Sequence, residues 1–337
     1  MKIAAQQAFF CLLNLSLIFS SVSTSIADDD NQAPFSEIIV FGDSYSDTGN
    51  FFKFTEGAFP NVPYYDGRAS NGLLWIEFLA ESLTLTLSPE NQYAYLGAES
   101  GTENFNNQSP AIEFPGFHQQ VGTFLADNEE LDPNASSLYV IWIGSYDFYS
   151  WLANGGKDPS QIVESSITNI VTGLSSLVDY GATHFLVVNL PDLGAIPIGK
   201  SLGSEISELL TISSVTFNSL LDDAIVAMAQ LQDIHITRLD AFGIINTLIE
   251  AGDAFGFENV EDPALAISDP NTVDSYLFWD STHPTSAGHE ILADFALQAL
   301  IESYSQNGEP ATQRDSNHFI KAAFEIPRYS EINPHGR

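Results

Sequence analysis

The chain is poor in three kinds of feature. Its 337 residues hold a single cysteine, Cys11, which lies inside an apolar N-terminal run. The rest of the chain therefore has no disulfide framework and no thiolate metal site. Basic residues are scarce: 10 Lys and Arg stand against 44 Asp and Glu, a net charge of −34. A field of that sign repels phosphate backbones and anionic lipid, which excludes nucleic acid as a partner and disfavours acidic membranes. Between residues 28 and 303 the basic side chains are Lys53, Arg68, Lys157, Lys200 and Arg238 alone. Long hydrophobic runs are also wanting. Residues 8–19 are mostly apolar, but Cys11, Asn14 and Ser16 interrupt them, and the stretch falls short of the ~20 residues that cross a bilayer. Two motifs are absent as well. No Gly-x-x-x-x-Gly-Lys loop is there to cradle a nucleotide phosphate, and no Gly-x-Ser-x-Gly elbow occurs, since position 46 is Ser46.

What is present divides the chain in three. Lys2, the interrupted apolar run, and the small residues Ser25 and Ala27 before three aspartates make residues 1–27 a secretory signal. The expected location is secreted or periplasmic, with no stable membrane insertion once the signal is removed. Residues 28–303 form one domain without repeats or a long linker, and hydrophobic residues at 44% suffice for a sizeable core. Residues 304–337 are polar and aperiodic, with four basic and four acidic side chains, and read as a flexible tail.

Within the domain, short β-rich runs end on Gly, Pro or Asp: 37–41 (EIIVF), 138–143 (LYVIWI), 184–190 (HFLVVNL) and 234–239 (IHITRL). Between them, apolar residues recur at three- and four-residue steps over 73–83, 161–178, 206–231 and 287–300. Strand alternating with helix predicts an α/β fold, a parallel sheet covered on both faces. Ligands bind such sheets beyond the carboxyl ends of the strands. That rule singles out Ser44, residues 144–147 and Asp192. The segment 86–118, rich in Gly, Asn, Pro and Ser, reads as loop.

Ser44 follows the first run in Gly42-Asp43-Ser44. A serine there acts as a nucleophile if an imidazole takes its proton and a carboxylate orients the imidazole. Asp280-Ser281-Thr282-His283-Pro284 supplies both groups in one short loop. Three residues of separation let Asp280 meet one ring nitrogen of His283 and leave the other for Ser44. Taken alone, each motif also fits a turn or a helix cap.

These residues carry a resemblance. Phe41-Gly42-Asp43-Ser44 with Asp47-Thr48-Gly49-Asn50, then Gly67-Arg68-Ala69-Ser70-Asn71-Gly72 with Trp75, then Asp280-x-x-His283-Pro284, resemble the GDSL group of SGNH hydrolases. Tyr93-Ala94-Tyr95-Leu96-Gly97-Ala98 is similar to that family's second block, Gly144-Ser145-Tyr146-Asp147 stands at its third, and Asn189-Leu190-Pro191-Asp192-Leu193-Gly194 is similar to a further segment of its lipase and esterase members. The resemblance implies a three-layer α/β/α sandwich with a flavodoxin-like parallel sheet of about five strands. It also implies ester hydrolysis through an acyl-enzyme, needing neither cofactor nor metal. Carried over by position, Ser44 is the nucleophile, His283 the base and Asp280 its orienter. The backbone N–H groups of Ser44 and Gly97 are oxyanion donors.

One position departs from the pattern. The third-block asparagine, whose amide supplies another oxyanion donor in the family, is Tyr146 here. Three arrangements are open: Tyr146 donates through its hydroxyl, an amide from Asn104, Asn106 or Asn107 substitutes, or turnover is much reduced. The expected substrate is a small-molecule or lipid ester. The alternatives are a carbohydrate O-deacetylase of the same fold and a catalytically impaired lipid- or glycan-binding protein. Phe148, Tyr149 and Trp151 are candidates to line an acyl pocket, and His289 and the scattered His118, His184 and His235 lack metal-ligand spacing.

Overall fold

The computed structural model describes residues 35–107, 113–267 and 270–306. The expected leader over 1–27 and, past Gln306, the expected tail lie outside the described residues. The strands are β1 (Glu37–Gly42), β2 (Ser137–Trp142), β3 (His184–Val188) and β4 (His235–Leu239). The helices, in chain order, are α1 (Asn50–Phe54), α2 (Trp75–Ser82), α3 (Phe117–Asp127), α4 (Ser145–Ala153), α5 (Ser160–Tyr180), α6 (Pro197–Ser201), α7 (Ser204–Leu231), α8 (Ala241–Glu250) and α9 (Ser286–Gln306). All four expected strands and all four expected long helices form.

The sheet is parallel throughout, with strands in the order β1-β2-β3-β4. Helices α3, α5 and α7 pack along one face, and α2, α9 and α8 along the other, which gives three layers. Past their half-buried first residues Glu37 and His184, β1 and β3 are buried on both faces, as is β2 from Ser137 to Trp142, whereas β4 exposes Arg238. This explains why the first three strands read as largely apolar runs and β4 does not. By length and composition α7 could cross a membrane, but in the fold it packs against α5, α6 and β4.

The sheet has four strands among the described residues, not about five. A fifth is started and not completed. Gln92 bridges Val40 in parallel on the outer edge of β1, and the amides of Tyr93 and Tyr95 donate to Val40 and Gly42. Side chains then replace the backbone partners that a full strand would offer. The amide of Gln120, on α3, pairs with both the N–H and the C=O of Gly42, at 2.9 Å each, and Asn50 caps the carbonyls of Gln92 and Ala94. The edge is thus satisfied without a fifth ladder.

Gly42 closes β1 for a steric reason. At its φ of 147°, a Cβ would stand 2.2 Å from the carbonyl oxygen of Trp142 on β2. Only glycine lets β1 continue flush against β2 up to the residue before Asp43 and Ser44.

Candidate active site

Ser44 sits in a single helical turn just past β1, where the amides of Ser46 and Asp47 both donate to the Asp43 carbonyl. The residue is 1% exposed. Its hydroxyl donates to His283 Nε2 at 2.7 Å, across 239 residues of sequence. His283 Nδ1 donates in turn to the Asp280 carboxylate, at 2.8 Å to Oδ2 and 2.9 Å to Oδ1. Burial alone would push the Asp280 carboxyl up, but the facing His283 and the amides of His283 and Thr282 outweigh it and hold it below the usual carboxylate range. Asp280 is therefore an anion aimed at the imidazole.

The loop that carries His283 is fastened by five contacts. The amide of Trp279 donates to the carbonyl of His283, and that of Ile198 donates to Ser281. The Tyr45 hydroxyl donates to the carbonyl of Thr282 at 3.0 Å, and the Ser70 hydroxyl to that of Pro284 at 2.9 Å. Asn71 Oδ1 accepts the amide of Ser286 at 2.7 Å, at the start of α9. The Gly67–Gly72 block thus serves as a clamp and not as a reacting group.

A second set of contacts builds the neighbourhood of Gly97. Asp47 spends both carboxylate oxygens on amides, those of Gly49, Asn50 and Phe51 at the start of α1 and that of Leu96 at 2.8 Å. Asp147, on α4, holds the same loop through the amide and hydroxyl of Ser100. Gly97 has φ 87°, and a Cβ there would lie 2.1 Å from Asn106 Nδ2 and 2.4 Å from Asn104 Oδ1. Neither the Ser44 nor the Gly97 amide meets an acceptor among the described residues. Both remain available to an oxyanion.

Tyr146 bears on the first of the open arrangements. Its hydroxyl lies 3.2 Å from Ser44 Oγ and donates to it, because Ser44 donates to His283. Burial pushes the phenol above its ordinary value; the Ser44 hydrogen bond opposes it, and the charges of Asp43 and Asp280 add smaller upward effects. The group stays a protonated donor at any working pH. Its ring is braced by Phe105 and Tyr149, with centroids at 5.8 and 5.5 Å. The amides of Asn104 and Asn106 are both committed to the Leu96 carbonyl and that of Asn107 to Phe114. They support the loop and do not reach Ser44.

Several expected residues lie elsewhere. Asp192 is spent in its own turn, accepting from Gly194, Ala195 and Thr211. Phe148 is a core residue against Phe217. His289 is fully buried on α9. Among the described residues no group of three or more His, Cys, Asp or Glu is placed to hold a metal ion. The sequence missed one participant, Tyr64, whose hydroxyl donates to Asp280 Oδ2 at 3.0 Å. No motif marks it, because the contact joins positions 216 residues apart.

A Ser–His–Asp relay past the ends of a parallel sheet, with helices on both faces, is the architecture of a serine hydrolase. The sequence profile of the GDSL-like Lipase/Acylhydrolase family matches residues 38–296. The chain belongs to that family and is an ester hydrolase. It is 28% identical over 284 residues to the thermolabile hemolysin of Vibrio parahaemolyticus, covering 78% of this chain and 63% of that protein. The chain thus spans under two thirds of that relative's length. It is 25% identical over 343 residues to the phosphatidylcholine-sterol acyltransferase of Aeromonas hydrophila, covering 88% and 97%. A solved structure of a lipolytic G-D-S-L family protein from Veillonella parvula superposes with a TM-score of 0.43 at 14% identity, covering 78% and 97%.

Proposed function

We propose that the protein is an exported esterase or lipase that cleaves carboxylic esters of acyl lipids through an acyl-enzyme on Ser44. The observation that carries this reading is the relay itself, 2.7 Å from Ser44 to His283 and 2.8 Å from His283 to Asp280. Ser44 Oγ attacks the ester carbonyl and its proton passes to His283 Nε2. Asp280 fixes the Nδ1–H tautomer and stabilises the imidazolium. The carbonyl oxygen becomes an oxyanion that accepts from the amides of Ser44 and Gly97 and from the Tyr146 hydroxyl, which shifts from Ser44 Oγ once that atom is bonded to carbon. His283 returns the proton to the leaving alcohol. Water then repeats the sequence on the acyl-enzyme and releases the acid. No step requires a metal.

Two observations bear on the finer parts. Export rests on the composition of residues 1–27. A lipid substrate is supported by the names of the two bacterial relatives, one a hemolysin and one a phosphatidylcholine-sterol acyltransferase.

The test is a panel of nitrophenyl esters of increasing acyl length on wild type, Ser44→Ala and Tyr146→Phe. Wild type should release a burst of nitrophenol that Ser44→Ala lacks. Losing the phenolic donor should lower kcat about 10²-fold, the scale of a single oxyanion donor. Equal rates for wild type and Ser44→Ala would sink the reading, and a Tyr146→Phe rate within twofold of wild type would remove Tyr146 from the oxyanion site.

A further inference from the structure

The segment just after α1 is unlike the rest of the surface. Phe54, Phe59, Val62 and Tyr65 are 48%, 42%, 88% and 46% exposed, all within twelve residues. Single exposed apolar side chains need no explanation, but a contiguous group beside a reacting centre does. This group reaches the site directly. The ring of Phe59 packs on Tyr64 at 5.5 Å, Tyr64 packs on Trp279 at 6.0 Å, and Tyr64 bonds Asp280.

The charge is equally local. Residues 54–65 contain one ionisable acid, Glu56, in a chain with 44. Residues 51–68 hold Lys53 and Arg68 against Glu56 and Asp66, a neutral island on a molecule of net charge −34. A second set of exposed apolar residues, Ile212, Val215 and Val226 on α7, lies among Glu205, Glu208, Asp222 and Asp223 and lacks this neutrality.

We propose that residues 54–65 are the face with which the protein seats on a lipid surface of no net charge, bringing Ser44 to acyl lipid in that surface. The proposal rests on the esterase or lipase reading above. The apolar side chains enter the lipid boundary, the polar backbone of the segment remains at headgroup level, and the acidic remainder of the molecule keeps to water. A surface without net charge is the partner that fits. The molecular charge opposes approach to anionic lipid, and a neutral patch gains nothing from it in return.

The experiment measures partition of the full chain onto phosphatidylcholine vesicles, with Ser44→Ala as the parent so that the vesicles are not consumed. Val62 is the most exposed of the four, so Val62→Asp disturbs no packing. It should weaken partition about fivefold, and Val62→Asp with Tyr65→Asp at least tenfold. Ile212→Asp with Val215→Asp should leave partition within twofold, and vesicles containing anionic lipid should bind less than neutral ones. In the Ser44 background, both patch variants should hydrolyse a soluble short-chain nitrophenyl ester within twofold of wild type. Equal partition of parent and patch variants would overturn the proposal, as would no partition by the parent. Loss through the α7 substitutions instead, or a solution dimer that Val62→Asp dissociates, would overturn it too. If the wild type leaves soluble esters intact while vesicles are still bound through residues 54–65, the esterase reading fails and the docking face stands.

Discussion

Tyr64 and Asp43 are two side chains whose parts the sequence does not announce. Tyr64 donates to the Asp280 oxygen that also faces the imidazole. Without that donor the carboxylate is held by one contact fewer and orients the imidazole less firmly. Tyr64→Phe should therefore lower kcat on a soluble ester by about three- to tenfold with KM unchanged. A kcat equal to that of wild type would mean that Tyr64 only packs. Asp43 is fully buried, and only its Oδ1 finds a partner, the amide of Tyr45. Burial pushes its carboxyl from 3.8 up to about 7, against smaller lowering effects of that amide and of His283. The folded state keeps this proton between those values and the unfolded state does not. Stability from this group is thus full below about pH 4 and is lost as pH rises toward 7, by up to roughly 1.4 kcal/mol per pH unit. Denaturant unfolding of wild type and Asp43→Asn at pH 4 to 8 should show wild type losing ground over that interval, and parallel curves would show that Asp43 is ionised throughout.

The four strands and four of the nine helices among the described residues are legible in the sequence, the strands because each run ends on Gly, Pro or Asp and the helices because their apolar residues recur at three- and four-residue steps; α1, α4, α6 and α8 carry no pattern that marks them. Helix α3 is not marked in the sequence either, since its start at Phe117 follows a Gly- and Pro-rich stretch without a polar side-chain cap. The count of about five strands is what the family resemblance implies, while residues 92–95 read as loop; along the outer edge of β1 the amides of Gln120 and Asn50 take the places of a ladder, and contacts of that kind leave no periodic trace. Ser44, Asp280 and His283 could be found because nucleophile and base each sit in a short motif. Gln120 and Tyr64 could not, since each acts alone from a distant element. Helix α9 adds a measurable signature. Its His289 has no hydrogen-bond partner at either ring nitrogen, and burial, then the charge of His283, push it from 6.5 down to about 3. The unfolded chain takes up this proton below 6.5 and the folded chain does not. Stability from the neutral ring is therefore present above pH 6.5 and is lost as pH falls toward 3. Relative to His289→Leu, wild type should weaken across that window by up to roughly 1.4 kcal/mol per pH unit, as read by urea midpoints; a constant difference would mean that the ring is hydrated in the fold.

At the scale of the molecule the controlling quantity is the charge of −34. Like charges spread over one domain favour expansion, and added salt shortens their reach from about 30 Å at 0.01 M to about 3 Å at 1 M. At pH 8, where the exposed carboxylates are ionised, the melting temperature should rise by about 5–10 °C between those salt concentrations. A flat response would show that the acidic groups stand too far apart to repel. The neutral island at residues 51–68 interrupts this field, and it does so beside the site.

The loop of His283 is tied to Tyr45, Ser70, Asn71 and Ile198, and its imidazole meets a serine 239 positions earlier. Neither half of the polypeptide holds a usable fragment of the machinery. A nascent chain emerging from its amino end therefore lacks the imidazole that faces Ser44 until residues near its far end have been delivered, and the site assembles only once synthesis of the domain is nearly complete.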